Sequence, residues 1–259
     1  MKDPANQNIH KANQTRWNAA ADDWAKKAES RGLWKAAVNN PALVLNEAVR
    51  DQCAQIRNQK VCVLGSGDNE AVFAFAGMGA RVTSVDISQN QLAHGAKRAA
   101  ILSLDVDFVQ SDVVDLHALE DASFDMVYTG GHVAVWVADL YTYYSEASRI
   151  LRPGGVFIVD EYHPFRRVWQ ESKTELKVGY PYFDKGPFLF DYDEDVLNPQ
   201  TGQYKSYEFH WQISDFVNAI IQSGCRIVQF KEYVENSEDW EVAPMEGLPG
   251  MLLIISVKE

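Results

Sequence analysis

The chain has few cysteines and no apolar stretch long enough to cross a membrane. Its 259 residues include only Cys53, Cys62 and Cys225, whose spacing matches neither a zinc motif nor a disulfide framework. The polar N-terminus has no apolar signal segment, and no apolar run approaches the length that a bilayer requires. These absences predict a cytoplasmic protein that does not enter a membrane.

Basic residues are also scarce. There are 24 lysines and arginines against 36 aspartates and glutamates, so the formal net charge is −12. An acidic chain without a lysine-rich or arginine-rich run repels phosphate backbones, which argues against nucleic acid as a substrate. The six histidines are scattered, and none of them has metal-ligand spacing. We therefore expect neither a nucleic-acid partner nor a bound metal ion.

The chain does show an alternation of apolar strands and helices. Strands are predicted near 60–64, 81–85, 106–110, 124–128 and 156–160, with helices near 69–78, 88–103 and 138–151. A further helix near 213–223 and strands near 226–234 and 250–257 follow. Alternation of this kind predicts a parallel sheet with right-handed crossovers.

Two other regions flank this core. Residues 1–10 are polar and expected to be mobile, and the patterns of 11–29 and 41–56 predict two helices. After Asp160, prolines and aromatic residues predict an inserted cap of short antiparallel strands and loops, with a turn at 198–202. The chain is thus predicted to be one domain with four parts: an N-terminal helical lid (1–57), a cofactor-binding core (58–161), the cap (162–209) and a C-terminal helix and strand pair (210–259).

The segment from Lys60 to Asp86 is the most informative about function. An apolar strand ends at Gly65-Ser66-Gly67, a helix follows, and a second apolar strand ends at Asp86, which is the layout of a nucleotide-binding βαβ unit. A dinucleotide fingerprint needs a third glycine where Glu70 stands, and a phosphate-binding loop needs a Gly-Lys-Ser/Thr sequence that is missing. An adenosine ligand without phosphates fits better, and S-adenosylmethionine is the obvious one.

Four segments, in order, resemble the motifs of class I S-adenosylmethionine-dependent methyltransferases. They are 61–67, 82–88, 107–113 and 124–128 followed by 147–160, the last of which contains Leu-Arg-Pro-Gly-Gly before a β-branched strand. The resemblance implies a three-layer, Rossmann-like α/β fold whose seven-stranded, mostly parallel sheet is closed by an antiparallel pair. It also implies S-adenosylmethionine as cofactor, S-adenosylhomocysteine as product and methyl transfer to an acceptor by in-line displacement.

Two positions depart from the family pattern. Val63 stands where the family usually has an acid, and Asn69 stands where it usually has a third glycine. Asparagine tolerates a left-handed backbone better than most residues, so Asn69 can keep the turn. Asp68 or Glu70 is the candidate to replace the missing acid in holding the methionine amino group.

The resemblance places the cofactor beyond the carboxyl ends of the strands. Gly65 and Gly67 would admit its ribose and methionine, and Asp86 would accept from the ribose hydroxyls. Ile87 would pack on the adenine, Asp112 would accept from the adenine amino group, and Val113 would offer its amide to a ring nitrogen. The full predicted set is Gly65, Ser66, Gly67, Asp68, Asp86, Ile87, Asp112, Val113, Tyr128 and Thr129.

The loops after the fourth and fifth strands supply the catalytic candidates. His132 can remove a proton from an acceptor, although a role in holding the loop is equally compatible with the sequence. Glu161 and His163 share one side of an extended chain, so they can orient an acceptor or act as acid and base; the alternative is that they anchor a lid. Candidate substrate contacts are Trp17, Trp136 and Tyr162, and further pocket candidates are Trp169, His210 and Trp211.

Other functions remain open from the sequence alone. An NAD-dependent oxidoreductase is supported by the Gly-x-Gly turn and Asp86 but opposed by Glu70. A non-catalytic module that binds S-adenosylmethionine would explain the departures at Val63 and Asn69. For a methyltransferase, the aromatic cap and acidic surface favour a small, flat or apolar acceptor molecule over a protein or nucleic acid.

Overall fold

The computed structural model describes residues 3–67, 70–170, 172–190, 204–234 and 243–259. The strands are β1 (Lys60–Leu64), β2 (Arg81–Asp86), β3 (Val106–Gln110), β4 (Phe124–Gly130), β5 (Leu151–Tyr162), β6 (Phe188–Phe190), β7 (Ser206–Glu208), β8 (Cys225–Tyr233) and β9 (Met251–Lys258). Seven of them form one sheet in the order β3-β2-β1-β4-β5-β9-β8. β1 to β5 are parallel, and β9 is antiparallel to both β5 and β8.

Helices cover both faces of this sheet. They are α1 (Pro4–Arg31), α2 (Leu33–Ala36), α3 (Glu47–Asp51), α4 (Glu70–Gly77), α5 (Gln89–Leu102), α6 (Leu140–Ile150) and α7 (Ile213–Gln222). Because successive side chains of a strand point to opposite faces, Cys62 and Leu64 pack on the side of α6 and α7, whereas Val61 and Val63 pack on the side of α4. A strand buried on both faces is an uninterrupted apolar run. The predicted three-layer α/β fold is confirmed.

The N-terminal region differs from the prediction. Helix α1 begins at Pro4, where Asp3 caps it by accepting a hydrogen bond from the Ala5 amide, so residues 4–10 are helical rather than mobile. The single helix predicted over 41–56 is also wrong. Asn46 leaves the helical conformation and caps a new start at the Ala48 amide, which leaves a 3₁₀ turn over Pro41–Leu43 and the short α3.

The segment between β5 and α7 lies over the end of the sheet. β5 is longer than predicted because it pairs with β9 as far as Tyr162 opposite Met251. After it come a 3₁₀ turn over Pro164–Arg167 and the antiparallel pair β6 and β7. The turn predicted at 198–202 lies outside the described residues. In the described part of the chain, no helix is both long and apolar enough to cross a membrane.

Candidate functional site

A cleft of about 1420 Å³ opens at the carboxyl ends of the parallel strands, where ligands bind in open α/β sheets. The loops after β1, β2, β3 and β4 form its floor. Helix α1 lies along one side and the segment after β5 covers another. Among the predicted site residues, those that line it are Gly65, Ser66, Gly67, Asp86, Ile87, Asp112, Val113, Tyr128, His132, Trp136, Tyr162 and Trp17.

The turn after β1 needs its glycines. Gly65 and Gly67 both have positive φ, 58° and 47°, which disfavours residues with a Cβ. A Cβ on Gly65 would also lie 2.4 Å from Cγ1 of Val133, in the loop after β4. Ser66 ties the turn to β2, because its hydroxyl donates to the Val85 carbonyl at 3.1 Å and accepts from Ser84 at 2.7 Å. The loop after β1 and the loop after β4 therefore approach each other closely at the floor of the cleft.

Asp86 lies at the tip of β2 and is 8 % exposed. Its Oδ2 accepts from the Gly67 amide at 2.8 Å and its Oδ1 from the Ser88 amide at 2.7 Å. Burial raises the pKa of Asp86, and these amide hydrogen bonds oppose that shift. Each carboxylate oxygen has a second lone pair, so Asp86 can still accept hydrogen bonds from two adjacent hydroxyls of a ligand.

Helix α1 contacts the loop after β3 through His10, a residue that was not predicted from the sequence. His10 is 5 % exposed, and its Nδ1 lies 2.6 Å from Oδ2 of Asp112. The Ala138 amide donates to Nε2 of His10 at 2.8 Å, so the ring proton is on Nδ1 and is donated to Asp112. A detectable signal was the spacing of His10, Asn13, Gln14 and Trp17, which puts them on one helix face.

Asn13 joins α1 to two other segments. Its amide donates to the Trp136 carbonyl at 3.0 Å and to the Tyr207 carbonyl at 2.9 Å, and its Oδ1 accepts from the Tyr207 amide at 2.8 Å. Gln14 adds a hydrogen bond to the Ile87 carbonyl. The first helix is thus fastened to the loops after β2 and β4 and to strand β7.

The predicted substrate contacts come together around His132. The rings of Trp17 and Trp136 meet edge to face at 5.3 Å, and His132 lies 4.8 Å from Tyr162 and 6.0 Å from Trp136, centroid to centroid. Arg166 lies over the Tyr162 ring at 3.9 Å. This part of the cleft is an aromatic chamber with a cationic rim.

His132 faces the cleft, and both its backbone and its ring are constrained. Its φ is 81°, uncommon for a residue with a side chain, and the Arg167 guanidinium contacts its imidazole nitrogens. Burial, followed by the positive charge of Arg167, holds the pKa of His132 well below its usual range. The ring is therefore neutral near pH 7, but it is already engaged by an arginine.

Glu161 and His163 do not reach the cleft. Glu161 is 2 % exposed and accepts hydrogen bonds from the amides of His132, Val133 and Ala134 at 2.9–3.1 Å. His163 is fully buried, accepts from the Phe165 amide through Nδ1 and donates through Nε2 to Glu232 at 2.8 Å. The acid–base role expected of this pair has no geometric support, because each side chain is used to hold a loop.

Thr129 and Trp211 also face away from the cleft. The hydroxyl of Thr129 is buried 2.5 Å from that of Tyr143. The indole N–H of Trp211 donates to the Ala134 and Val137 carbonyls. Trp169 and His210, by contrast, line the cleft.

The structure describes one of the two positions that depart from the family pattern and one of the two acids that could compensate for them. Val63 lines the cleft as an apolar side chain, and Glu70 lines it from the first turn of α4. Asp68 and Asn69 lie outside the described residues. Within the described ranges, no group of three His, Cys, Asp or Glu side chains is arranged to hold a metal ion.

Comparison with known proteins agrees with this geometry. Residues 62–159 match a family model described as a methyltransferase domain. The uncharacterized methyltransferase YbaJ of Bacillus subtilis is 24 % identical over 227 residues, which cover 81 % of this chain and 87 % of that protein.

Solved methyltransferase structures share the fold. An S-adenosylmethionine-dependent methyltransferase from Mesorhizobium loti superposes with a TM-score of 0.65 at 22 % identity, covering 87 % of this chain and 100 % of that one. Geranyl diphosphate C-methyltransferase from Streptomyces coelicolor, solved with S-adenosyl-L-homocysteine, gives 0.57 at 18 % identity, covering 82 % and 77 %. The alternative predictions, an NAD-dependent oxidoreductase and a non-catalytic module, gain no support. Residues 62–159 are therefore a methyltransferase domain, and the seven-stranded sheet that contains them has the fold of S-adenosylmethionine-dependent methyltransferases.

Proposed function

We propose that this enzyme transfers the methyl group of S-adenosylmethionine to a small-molecule acceptor held between α1, the loop after β4 and the segment after β5. The observation that carries the proposal is the continuity of the cleft. Its floor has the Gly65–Gly67 turn and Asp86, and the same cavity extends to the aromatic chamber around Tyr162. Donor and acceptor would therefore share one continuous cleft.

The residues of the floor fit the adenosine part of the cofactor. The backbone at Gly67 is open to close approach, since an added Cβ there would meet nothing nearer than 3.9 Å, and Asp86 has acceptor capacity for the two ribose hydroxyls. Ile87 and Val113 supply apolar walls for adenine. Asp112 would accept from the adenine amino group with the lone pairs that remain beside its hydrogen bonds from His10 and the Val114 amide.

The methionine end would be held differently from the usual family pattern. Val63 offers no charge to the amino group, whereas Glu70 lines the cleft from the start of α4. We assign Glu70 the role of binding that amino group.

The contribution of the protein to transfer is alignment and exclusion of water. When bound, the cofactor supplies a methyl group already activated on a sulfonium, so positioning of the acceptor in line with it is the main requirement. The faces of Trp17, Trp136 and Tyr162 attract positive charge and remove solvent. Glu161 is a positioning residue, because it holds the loop that carries His132.

The enclosure favours a small acceptor over a macromolecule. Helix α1 is fastened across the cleft by the contacts of His10, Asn13 and Gln14, and the acceptor must fit in what remains of about 1420 Å³ after the cofactor binds. The net charge of −12 further disfavours nucleic acid. One structural relative, by its name, methylates geranyl diphosphate, which is also a small molecule.

Calorimetric titration with S-adenosylhomocysteine, with NAD alongside, tests the cofactor assignment. We expect binding of S-adenosylhomocysteine and none of NAD. Asp86→Asn should weaken binding about tenfold or more, since it disturbs hydrogen bonds to a charged group. Asp107→Asn, at an exposed acid on β3, is the matched control and should leave the affinity unchanged.

The size of the acceptor is tested separately by label transfer. The enzyme is incubated with methyl-labelled S-adenosylmethionine and either a low-molecular-weight metabolite extract, total protein or total RNA. We expect label in the small-molecule fraction. Transfer confined to protein or RNA would overturn the proposed acceptor class.

A further inference from the structure

Four polar side chains, three of them buried, line the cleft on the side of the segment after β5. They are Trp169, Ser206, Glu208 and His210. Ser206 and Glu208 are alternate residues of β7, so they share one face of that strand. Ser206, Glu208 and His210 are 1 %, 3 % and 8 % exposed. The group lies beside the aromatic chamber, because Arg167 contacts His132 and lies 3.7 Å from Glu208.

Polar atoms of all four side chains have no hydrogen-bond partner in the described part of the chain. They are the indole N–H of Trp169, the hydroxyl of Ser206, Oε2 of Glu208 and both ring nitrogens of His210. Arg167 Nη1 and His210 Nε2 each lie 3.7 Å from Oε2 of Glu208, which is within ion-pair distance but too far for a hydrogen bond.

Leaving such atoms unsatisfied is costly. Each buried donor or acceptor without a partner costs about 1–3 kcal/mol, and more when the group is charged. Native structures contain only a few of them, so several on one wall of one cavity require an explanation. A group that destabilises the free protein is expected where a ligand completes it.

We propose that Trp169, Ser206, Glu208 and His210 form the binding subsite of the methyl acceptor, and that the acceptor is a flat molecule with a hydroxyl or amino group directed at Glu208. This inference rests on the proposed function. A carboxylate only accepts hydrogen bonds, so the ligand must supply an O–H or N–H there. The indole of Trp169 only donates, so the ligand must also carry an acceptor atom.

The surrounding rings select the shape of this molecule. Tyr162, Tyr180 and Phe190 line the same part of the cleft. Tyr180 and Phe188 pack on the His210 ring at 5.1 Å and 4.2 Å, which fixes its orientation. Aromatic walls with a few convergent polar groups suit a planar aromatic compound. A purely apolar acceptor would leave Oε2 of Glu208 without a hydrogen bond, and an anionic group beside the Glu208 carboxylate would be repelled.

The first test is the stability of the ligand-free protein. If Oε2 of Glu208 binds a ligand, Glu208→Met removes a buried carboxylate oxygen that makes no hydrogen bond, and the thermal midpoint should stay equal or rise. If Glu208 instead stabilises the folded protein, the thermal midpoint of Glu208→Met should fall by several degrees. Glu146→Met is the matched control, because Glu146 accepts from the Leu116 amide and from Arg149, both at 2.9 Å, and its loss should lower the midpoint.

The second test uses paired probes, measured by ligand-observed NMR in the presence of S-adenosylhomocysteine. Phenol, catechol and indole carry a donor; anisole, veratrole and 1-methylindole are the same rings without one. We expect the donor-bearing probes to bind the wild type and to lose about tenfold in affinity in Glu208→Met, the factor for one hydrogen bond to a charged group. The methylated probes should show no difference between the two proteins.

The outcomes separate this inference from the proposed function. Absence of S-adenosylhomocysteine binding to the wild type would overturn the proposed function. If S-adenosylhomocysteine binds but no probe does, or if the probes bind without dependence on a donor or on Glu208, the subsite is overturned and the cofactor assignment stands. A midpoint lowered in Glu208→Met as in Glu146→Met would likewise assign Glu208 to the fold.

Discussion

His10 donates a hydrogen bond to Asp112 across 2.6 Å, although 102 residues separate them in the chain. The same imidazole accepts from the Ala138 amide on its other side. One side chain thus joins the first helix to the loop after β3 and to the segment before α6. Since Asp112 is the residue assigned to adenine, the packing of α1 and the proposed binding of the cofactor meet at one carboxylate.

We predict that His10→Ala loosens α1 and weakens cofactor binding. The substitution leaves the Ala138 amide and Asp112 without this partner, which should lower the free energy of unfolding by about 1–3 kcal/mol. Amide hydrogen exchange should accelerate in the first half of α1, and calorimetry should show weaker binding of S-adenosylhomocysteine. His94→Ala is the control: His94 also contacts α1, at Asp22 across 2.8 Å, but at the exposed surface, where such pairs contribute about 1 kcal/mol at most. Equal effects of the two substitutions would contradict the prediction.

We predict that Gly65→Ala is far more damaging than alanine at another glycine of positive φ. The added Cβ would meet Val133 at 2.4 Å in a left-handed backbone, and the strain and overpacking together should cost about 2–5 kcal/mol. Gly154→Ala has the same backbone problem, with φ 75°, but nothing within 4 Å of the new Cβ, so it should cost about 1–2 kcal/mol. Urea denaturation measures the loss of unfolding free energy in each of the two variants. Adding Val133→Ala to Gly65→Ala should recover part of the loss, and a failure to recover any would show that contact with Val133 is not the cause.

We predict a pH dependence of stability that comes from Glu161. Burial raises the pKa of Glu161 from 4.5 to about 7, against the hydrogen bonds from three amides. A carboxyl with a raised pKa in the folded state stabilises the fold most below its unfolded pKa, and this contribution is lost as the pH rises through the folded value. At about 1.36 kcal/mol per unit, the rise corresponds to about 3 kcal/mol. Between about pH 4.5 and pH 7, the free energy of unfolding should therefore fall more in the wild type than in Glu161→Gln.

Glu146 provides a control, because its pKa is lowered in the folded protein whereas that of Glu161 is raised. Burial alone would raise the pKa of Glu146, but hydrogen bonds from Arg149 and the Leu116 amide lower it. Its contribution is present above the unfolded pKa and is lost as the pH falls, so Glu146→Gln should flatten the acid side of the profile. Urea denaturation of the three proteins at about pH 3, about pH 5 and about pH 8 covers both the Glu146 and the Glu161 pH ranges. Parallel profiles for wild type and Glu161→Gln would contradict the assignment to Glu161.

The sheet was predictable because its signals are local. Val61 to Leu64 form an apolar run that ends at a glycine turn, and the same pattern recurs at Val82 to Asp86. Strand ends of a parallel sheet meet at one edge, so Gly65, Asp86 and Asp112 could be assigned to one cleft without coordinates. The helix predicted over 41–56 failed because the side chain of Asn46 competes for the backbone, which an apolar stripe does not reveal.

The sequence alone determined the fold class, because periodicity and turn residues act over a few positions, and the resemblance of its four motifs to a known family indicated the cofactor and the edge of the sheet proposed to bind it. The tertiary structure decided which polar side chains face that edge. It placed Glu161 under three amides, Thr129 against Tyr143 and His163 against Glu232, all away from the cleft, and it placed His10 and Glu208 beside it. These contacts join residues distant in the chain, and a buried polar group takes whichever partner the packed elements bring within reach.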